Sequence, residues 1–252
     1  MKLEIAGAGK RFGAVQALAP VDLDVQDGDF VSIVGPSGCG KSTLMRLVSG
    51  LLPATEGEIR AGGAIVNGPV TALGIVFQQP VLLEWRTALE NVLFQVEMRG
   101  QPASAYRERA MELLDQVGLA DFAKSYPHQL SGGMKQRVAI ARALVHDPGL
   151  LLMDEPFGAL DALTREQMRV DLEQLWMRRR MTVLFVTHSV DEAVLLGDRV
   201  VVMSPRPGRV DRVIEVGLAR ARGLEARRDP GFLAHEEEIT NIFLERGVLR
   251  RG

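Results

Sequence analysis

The residues best suited to chemistry form a glycine-rich run that ends in a lysine and a serine. The run reads Gly35-Pro36-Ser37-Gly38-Cys39-Gly40-Lys41-Ser42 and matches G-x-x-x-x-G-K-[ST]. Glycines let a loop approach phosphate oxygens closely, and backbone N–H groups at a helix start attract anions. Lys41 adds a full positive charge, the Ser42 hydroxyl can ligate Mg²⁺, and Thr43 can contact a further phosphate. We therefore expect a loop that binds the phosphates of a nucleotide.

The only cysteine, Cys39, lies inside this run. It could be a redox switch, because a helix N-terminus lowers the pKa of a thiol, or simply a small residue that the loop tolerates. The second interpretation is favoured. A single cysteine excludes an internal disulfide and suits a reducing cytoplasm.

A second candidate site is a pair of acids that follows the apolar run Leu150–Met153. Ligands of open α/β sheets bind at the carboxyl ends of strands, so Asp154 is placed to hold Mg²⁺ and Glu155 to polarise an attacking water. Alone, the pair could be a solvated turn. Together with the glycine-rich run it predicts a P-loop NTPase, and the sequence has no N-K-x-D run of the kind that reads guanine.

These residues need strands and helices to position them. Short apolar runs predict buried strands at Phe30–Val34, Leu150–Met153, Val183–Thr187 and Arg199–Met203. Helical spacing lies between them, at Gly40–Leu51, Tyr106–Val117, Gly132–Val145 and Ala162–Arg178. Alternating strands and helices predict an α/β fold with a mainly parallel sheet core.

Three regions depart from that alternation. Residues 1–27 and 56–76 are typical of an antiparallel β subdomain, and residues from about 80 to 131 of a helical insertion. We expect an ATPase domain over 1–225, with a helical subdomain at about 80–135, and a C-terminal helical extension over 226–252. An amphipathic helix is expected near Phe232–Glu245, and this tail could dock on a partner or cover its own domain.

The bulk composition excludes several classes of protein. The chain has 252 residues, 46% of them hydrophobic, and a net charge of −2, which gives a sizeable core and no basic footprint for nucleic acid. Charged residues near the N-terminus, such as Glu4 and Lys10, interrupt any signal-peptide run. Every apolar run is far shorter than the ~20 residues that span a bilayer as a helix.

The run Leu130-Ser131-Gly132-Gly133-Met134-Lys135-Gln136-Arg137 resembles the signature motif of ABC ATPases. It precedes the Asp154–Glu155 pair by about twenty residues, as in that family. Gln78 matches the Q-loop glutamine of the family, Asp161 ends a D-loop match that begins at Gly158, and His188 matches the switch histidine. Phe12 resembles the aromatic residue that stacks on adenine.

This resemblance, which covers residues 1–218, implies a mechanism. Two such domains face head to tail, and each ATP lies between the phosphate loop of one and the signature of the other, represented here by Ser131, Gly132, Gly133 and Gln136. The resemblance implies that Glu155, His188 and Gln78 are catalytic. It also implies that Ser42, Gln78 and Asp154 hold Mg²⁺.

The segment Gln79–Thr87, with Leu82-Leu83-Glu84-Trp85-Arg86, resembles importer ATPases for nitrate, sulfonates and taurine, although Glu84 replaces their usual proline. The likeness implies an ATPase homodimer at the cytoplasmic face of the cell membrane, bound to an integral membrane permease and served indirectly by a solute-binding protein. Trp85 could line a groove for the permease or pack inside the insertion.

Two other functions stay open. The chain could serve a lipid-transport or exporter ABC system, against which two importer-like segments argue, Gln79–Thr87 and Ser204-Pro205-Arg206-Pro207-Gly208-Arg209. It could instead be a soluble ABC ATPase that acts on DNA or ribosomes. The single P-loop and the short distance from Gln78 to Ser131, about fifty residues, fit that class poorly.

Overall fold

The structure is a computed structural model that describes residues 1–249. In this part of the chain the strands β1 to β10 span, in order, Leu3–Phe12, Val15–Val25, Phe30–Val34, Glu56–Ala61, Ala64–Ile65, Leu73–Val76, Leu150–Asp154, Thr182–Thr187, Arg199–Met203 and Val210–Glu215. The helices α1 to α7 span Lys41–Val48, Ala88–Glu97, Arg107–Gln116, Gly132–Leu144, Ala162–Arg179, Val190–Leu196 and Pro230–Glu245. Single turns of 3-10 helix include Ala103–Tyr106 and Leu224–Arg228.

The chain forms two compact units, one of Met1–Thr71 with the chain from Arg179 onward, the other of Ala72–Arg178. The first unit contains an antiparallel sheet in the order β2-β1-β4-β5. In it, Leu3 pairs with Val25 on one side and with Ala61 on the other. This sheet confirms the predicted antiparallel subdomain.

The first unit also contains the parallel strands β9, β3 and β8, with β10 antiparallel at the outer side of β9. Every residue of β3 and β8 is buried. Strands covered on both faces carry uninterrupted apolar runs, which is why these two were recognisable from the sequence.

The second unit is mainly helical, as predicted, with α2 and α3 packed on α4. It contributes the parallel pair β6 and β7, in which Leu73 lies opposite Leu150. The prediction that residues 56–76 are all antiparallel is therefore wrong for β6. A run of four residues has too little periodicity to show which partner it pairs with.

The C-terminal helix α7 covers its own unit, one of the two predicted possibilities. Asp229 caps it by accepting from the Gly231 N–H at 2.7 Å. Phe232, Ile239 and Phe243 are buried in a cluster with residues of α6, β3 and β9. The boundary at residue 225 and the subdomain limits stay predictions, and residues 250–252 of the predicted extension lie outside the described residues. Over residues 1–249 no helix is both long and apolar enough to cross a membrane.

Candidate functional site

The predicted phosphate loop connects β3 to α1. Gly38 and Gly40 have φ values of 76° and 105°, a region that strains any residue with a Cβ. Gly40 is the N-cap of α1 and has no side chain to cap it. The first turn of the helix therefore offers backbone N–H groups and the positive end of its dipole to an anion.

Lys41 lies inside the curve of this loop and is only 5% exposed. Its ammonium donates to the carbonyl oxygens of Gly35 at 2.7 Å and Pro36 at 3.1 Å. A buried ammonium has to be hydrogen-bonded, and these two carbonyls satisfy it. The donor set of a buried cation and a helix N-terminus fits the phosphates of a nucleotide.

The loop is supported by a segment that sequence reasoning did not identify as functional. Gly208 accepts from the Ala19 N–H at 2.8 Å and donates to the Ala17 carbonyl at 3.3 Å. A Cβ added at Gly208 would lie 1.6 Å from the carbonyl oxygen of Cys39. The glycine thus allows backbone-to-backbone contact with the phosphate loop, and its position after Pro205-Arg206-Pro207 was the available signal.

The thiol of Cys39 is buried, with 1% of the residue exposed, and forms no disulfide. A Cβ added at Gly35 would lie 3.0 Å from its sulfur. Redox sensing needs an accessible thiolate, which this packing denies. The structure therefore favours the interpretation of a small residue that the loop tolerates.

His188 follows β8 beside the phosphate loop. The register pairs Val34 with Thr187, so the residues after the two strands, Gly35 and His188, start side by side. His188 is exposed. Its backbone is held on both sides, because the Thr187 hydroxyl donates to the buried Glu192 at 2.6 Å and accepts from the Ser189 N–H at 3.0 Å.

Phe12 ends β1 at a hairpin, where it pairs with Val15. It is 49% exposed, and the ammonium of Lys10 lies 5.4 Å from its ring centroid. An exposed ring under a cation is not a core residue. The exposure leaves the ring face available for stacking on a base.

In the second unit, Gln78 and Glu155 lie near the same glycine. Val76 pairs with Met153, so the chain leaves β6 and β7 at adjacent strand ends. A Cβ added at Gly158 would lie 3.3 Å from the Gln78 amide nitrogen and 3.8 Å from Glu155 Oε2. Asp154 closes β7 immediately before Glu155. The Gln78 amide and the Glu155 carboxylate thus lie close enough to each other to hold one water between them, and Asp154 is the residue before Glu155.

The signature segment begins helix α4. Ser131 is its N-cap and accepts from the Met134 N–H at 3.2 Å, while Gly132 and Ser131 are exposed. Gly133 is needed for packing, because a Cβ there would lie 2.5 Å from Thr164 Cγ2. An exposed helix N-terminus with a hydroxyl cap is able to receive an anion.

Gln136, which the resemblance places among the signature residues that contact ATP, is buried. The residue is 2% exposed, and its amide donates to the carbonyl of Phe77 at 3.2 Å. Its place one turn into α4 puts it on the buried face of the helix. The amide therefore holds the backbone next to Gln78, and the contact of Gln136 with the ATP of the opposite subunit stays a prediction.

Asp161 lies before α5 and is exposed. Its carboxylate accepts from the Thr164 N–H at 3.0 Å, and this hydrogen-bonding to Thr164 lowers its pKa. A carboxylate at a helix start also favours the dipole. This local role accounts for an acid at this position whether or not it contacts a partner.

Asn91 shapes the loop that carries Trp85. The residue is fully buried, and its amide donates to the carbonyls of Leu83, Arg86 and Thr87 at 3.0 to 3.1 Å. It also accepts from the Leu83 N–H at 2.8 Å. The loop held in this way leaves Trp85 74% exposed, so Trp85 does not pack inside the insertion.

The predicted residues are thus divided between the two units. The first holds Phe12, the phosphate loop and His188, and the second holds Gln78, Asp154, Glu155, the signature and Asp161. Among the described residues no three His, Cys, Asp or Glu side chains form a metal cage. Mg²⁺ at a nucleotide is normally held by one or two side chains together with phosphate oxygens and waters, and these residues fit that pattern.

Comparisons with known proteins show the family to which the chain is similar. The model of the ABC transporter family matches residues 18–158. An uncharacterised ABC transporter ATP-binding protein of Methanocaldococcus jannaschii is 46% identical over 246 residues, which are 96% of this chain and 91% of that protein. The taurine import ATP-binding protein TauB of a Jannaschia species is 48% identical over 234 residues, which are 91% of this chain and 87% of TauB.

A solved structure, the dimeric form of a bacterial ABC transporter cassette, is also similar. Its TM-score is 0.75 at 35% identity, and the match covers 86% of this chain and 100% of the cassette. The same cassette is known as a dimer in a post-hydrolysis state bound to ADP and Pi, with the same TM-score.

Proposed function

The chain belongs to the ABC transporter family of ATP-binding proteins and is an ATP hydrolase coupled to transport, and from that premise we propose that it energises an importer. The solute is small and resembles taurine, another sulfonate or nitrate, and it crosses through a separate membrane permease. The TauB likeness and the exposed Trp85 loop support this assignment. The protein then works at the cytoplasmic face of the membrane, and a solute-binding protein delivers the solute.

The observation that supports the hydrolytic part of this proposal is the strand register, which starts Gly35 and His188 side by side. Lys41 exchanges its two loop carbonyls for phosphate oxygens of ATP, and the N–H groups of the first turn of α1 bind the rest of that charge. His188 then stabilises charge on the transferred phosphoryl group. Phe12 stacks on the adenine.

Glu155 is the base that polarises the attacking water, and Gln78 orients that water and senses the γ-phosphate. Bound Mg²⁺ would be held by Ser42, Asp154 and Gln78. It would neutralise the negative charge that develops on the phosphates. The proximity of Gln78 and Glu155 to Gly158 supports a shared task, because both can reach one water.

The site is completed by a second copy of the chain. Ser131, Gly132 and Gly133 of that copy present the N-terminus of α4 to the γ-phosphate, where the dipole and the hydroxyl favour negative charge. Asp161 lies next to Leu163, which is exposed, and both face the partner. ATP binding then closes the homodimer, and hydrolysis opens it again. These two movements drive the permease.

The permease contacts the loop over Val81–Arg86. An exposed Trp on a loop held rigidly by Asn91 costs little entropy to bury, and Trp is enriched among residues that dominate interface energies. We expect Trp85→Ala to leave ATP hydrolysis by the isolated subunit unchanged and to reduce its recovery with the permease. Phe122→Ala, also exposed and in the same unit, is the matched control.

The test is affinity purification of tagged wild type and both variants from detergent-solubilised membranes, followed by mass spectrometry. Recovery of a polytopic permease with wild type and Phe122→Ala, with loss in Trp85→Ala, is the expected result. Recovery with ribosomes or nucleic acid and without a membrane protein contradicts the importer. Solute-dependent ATPase activity of the recovered complex then identifies the solute.

A further inference from the structure

Three arginines of the C-terminal segment form hydrogen bonds to both ends of the helix that follows His188. The helix is α6, Val190–Leu196, and it begins two residues after the histidine, with Ser189 as its N-cap. The N-cap hydroxyl accepts from the Glu192 N–H at 3.2 Å. Because so little chain separates them, a displacement of α6 also displaces the backbone of His188.

Two of these arginines bind the C-terminal end of α6. The guanidinium of Arg222, which is 4% exposed, donates to the carbonyls of Val194 at 3.0 Å and Gly197 at 2.6 Å. Arg220 donates to the carbonyl of Leu196 at 2.6 Å and to Asp198 at 2.8 Å. The last carbonyls of a helix have no partners within it, and cations there also favour the dipole.

The same guanidinium ties the helix end to the chain that leads into the tail. Arg222 also donates to the carbonyls of Val216 and Leu218, each at 3.0 Å. A buried guanidinium with this many carbonyl partners has one arrangement in which all are satisfied. Arg222 therefore fixes the end of α6 to the C-terminal extension through hydrogen bonds, in addition to the packing of apolar side chains.

The third arginine binds the start of α6. Arg227 binds Asp191 in the first turn through two parallel hydrogen bonds, 2.6 Å from Nε to Oδ1 and 2.9 Å from Nη2 to Oδ2. The hydrogen bond to Asp191 holds the pKa of Arg227 above its ordinary value, and burial, with the Asp191 charge nearby, raises the pKa of Glu236 on α7. Bidentate arginine–carboxylate pairs fix orientation as well as distance.

We propose that the C-terminal segment from Arg220 to Arg228 is a clamp on α6 that positions His188 for phosphoryl transfer, with Arg227 as a positioning residue. This rests on the proposed role of His188. Misplacing a catalytic group by about 1 Å can cost ~100-fold in rate. Loosening one end of the clamp is therefore expected to lower kcat for ATP about tenfold, with little change in KM.

The clamp is tested on the Arg227–Asp191 pair, because Arg222 is so deeply buried that its removal threatens folding. The variants are Arg227→Gln, Asp191→Asn and the two together, each as the full chain. Arg228→Gln is the matched control, since Arg228 is the next residue and its exposed side chain pairs with another exposed residue, Glu225, at 3.3 Å. Arg227→Lys keeps the charge without the fork and is expected to recover part of kcat.

The decisive readout is the combination with His188→Ala, which separates positioning from general stability. If Arg227 acts through His188, Arg227→Gln lowers kcat in the wild type and causes no further loss in the His188→Ala background. Additive losses, or wild-type kcat in both Arg227→Gln and Asp191→Asn while His188→Ala is inactive, overturn the clamp and leave the proposed function standing. Full turnover by His188→Ala contradicts the proposed function itself.

Discussion

At the scale of single residues, Lys41 has an unusual environment and Glu155 an unusual backbone conformation, and both have a proposed chemical role. Lys41 is a buried cation held by two carbonyls of its own loop. Glu155 has a φ of 44°, which costs a residue with a side chain about 1–3 kcal/mol. A hydrogen bond from the Gly158 N–H to the Glu155 carbonyl, 3.1 Å long, closes the turn that maintains this conformation. Strain of this kind is concentrated at functional sites.

Replacing Glu155 by Gln should separate ATP binding from turnover. The amide keeps the shape of the carboxylate but cannot accept a proton, so kcat should fall by at least ~100-fold with little change in ATP affinity. Steady-state hydrolysis and equilibrium nucleotide binding measure the two effects. Glu108→Gln, on the exposed face of α3, is the control, and substantial turnover by Glu155→Gln would remove that residue from the proposed role.

His146 should make stability depend on pH. Burial, with Arg99 nearby, lowers its pKa from 6.5 to about 4, and Nε2 bonds the Leu73 carbonyl at 3.0 Å. Its Nδ1 is buried and has no hydrogen-bond partner among the described residues. The neutral ring, donating through Nε2, is therefore the folded form.

The sign follows from which state binds the proton. Between pH 6.5 and 4 the unfolded chain protonates this histidine and the folded one does not, so the free energy of unfolding falls as pH is lowered through that window. With allowance for partial exposure, the loss is about 1–2 kcal/mol. Urea unfolding at pH 7 and pH 5 should show this loss, and His146→Gln should lose less; an equal pH dependence in both proteins would refute the assignment.

At the scale of elements, the phosphate loop depends on chain that is distant in sequence. The residues around Gly208 contact both β2 and the loop, through Ala17, Ala19 and Cys39. In the same way α6 depends on arginines that come about thirty residues later. Such contacts convert a flexible connection into a fixed one, which is what a site with demanding geometry requires.

Gly208→Ala should damage the nucleotide site without touching it. The added methyl collides with the backbone of Cys39, which cannot move aside cheaply, so we expect a loss of about 2–3 kcal/mol in stability and weaker ATP binding. Gly217→Ala is the control, because a Cβ there has no neighbour within 4 Å. Thermal unfolding with and without ATP tests this, and equal behaviour of the two variants would count against the support role.

At the scale of the whole molecule, the sequence predicted most of the fold. The alternation of buried runs and helical spacing predicted the parallel strands, the antiparallel subdomain and the insertion, and the structure confirms them. Strand β6 was misassigned because its four residues carry no period. The phosphate loop begins where the glycines predict, since positive φ at Gly38 and Gly40 is a local requirement.

The sequence could not predict contacts between distant residues. Nothing in the run Arg220–Arg228 distinguishes Arg222, which is buried, from Arg228, whose side chain is 85% exposed. Gln136 was expected at the nucleotide because it follows the signature, and only packing showed that its amide faces the Phe77 carbonyl. The roles of the site residues stay predictions until they are tested in solution.

We expect two copies of this chain to close around ATP, with the signature of one completing the site of the other. This expectation is tested most directly by the molar mass of Glu155→Gln in the presence of ATP and Mg²⁺, measured by light scattering. We expect Glu155→Gln to be a dimer, with twice the 27.6 kDa of the chain. The double variant that also carries Ser131→Arg should remain a monomer under the same conditions. A Glu155→Gln single variant that binds ATP fully and remains a monomer would contradict the expectation.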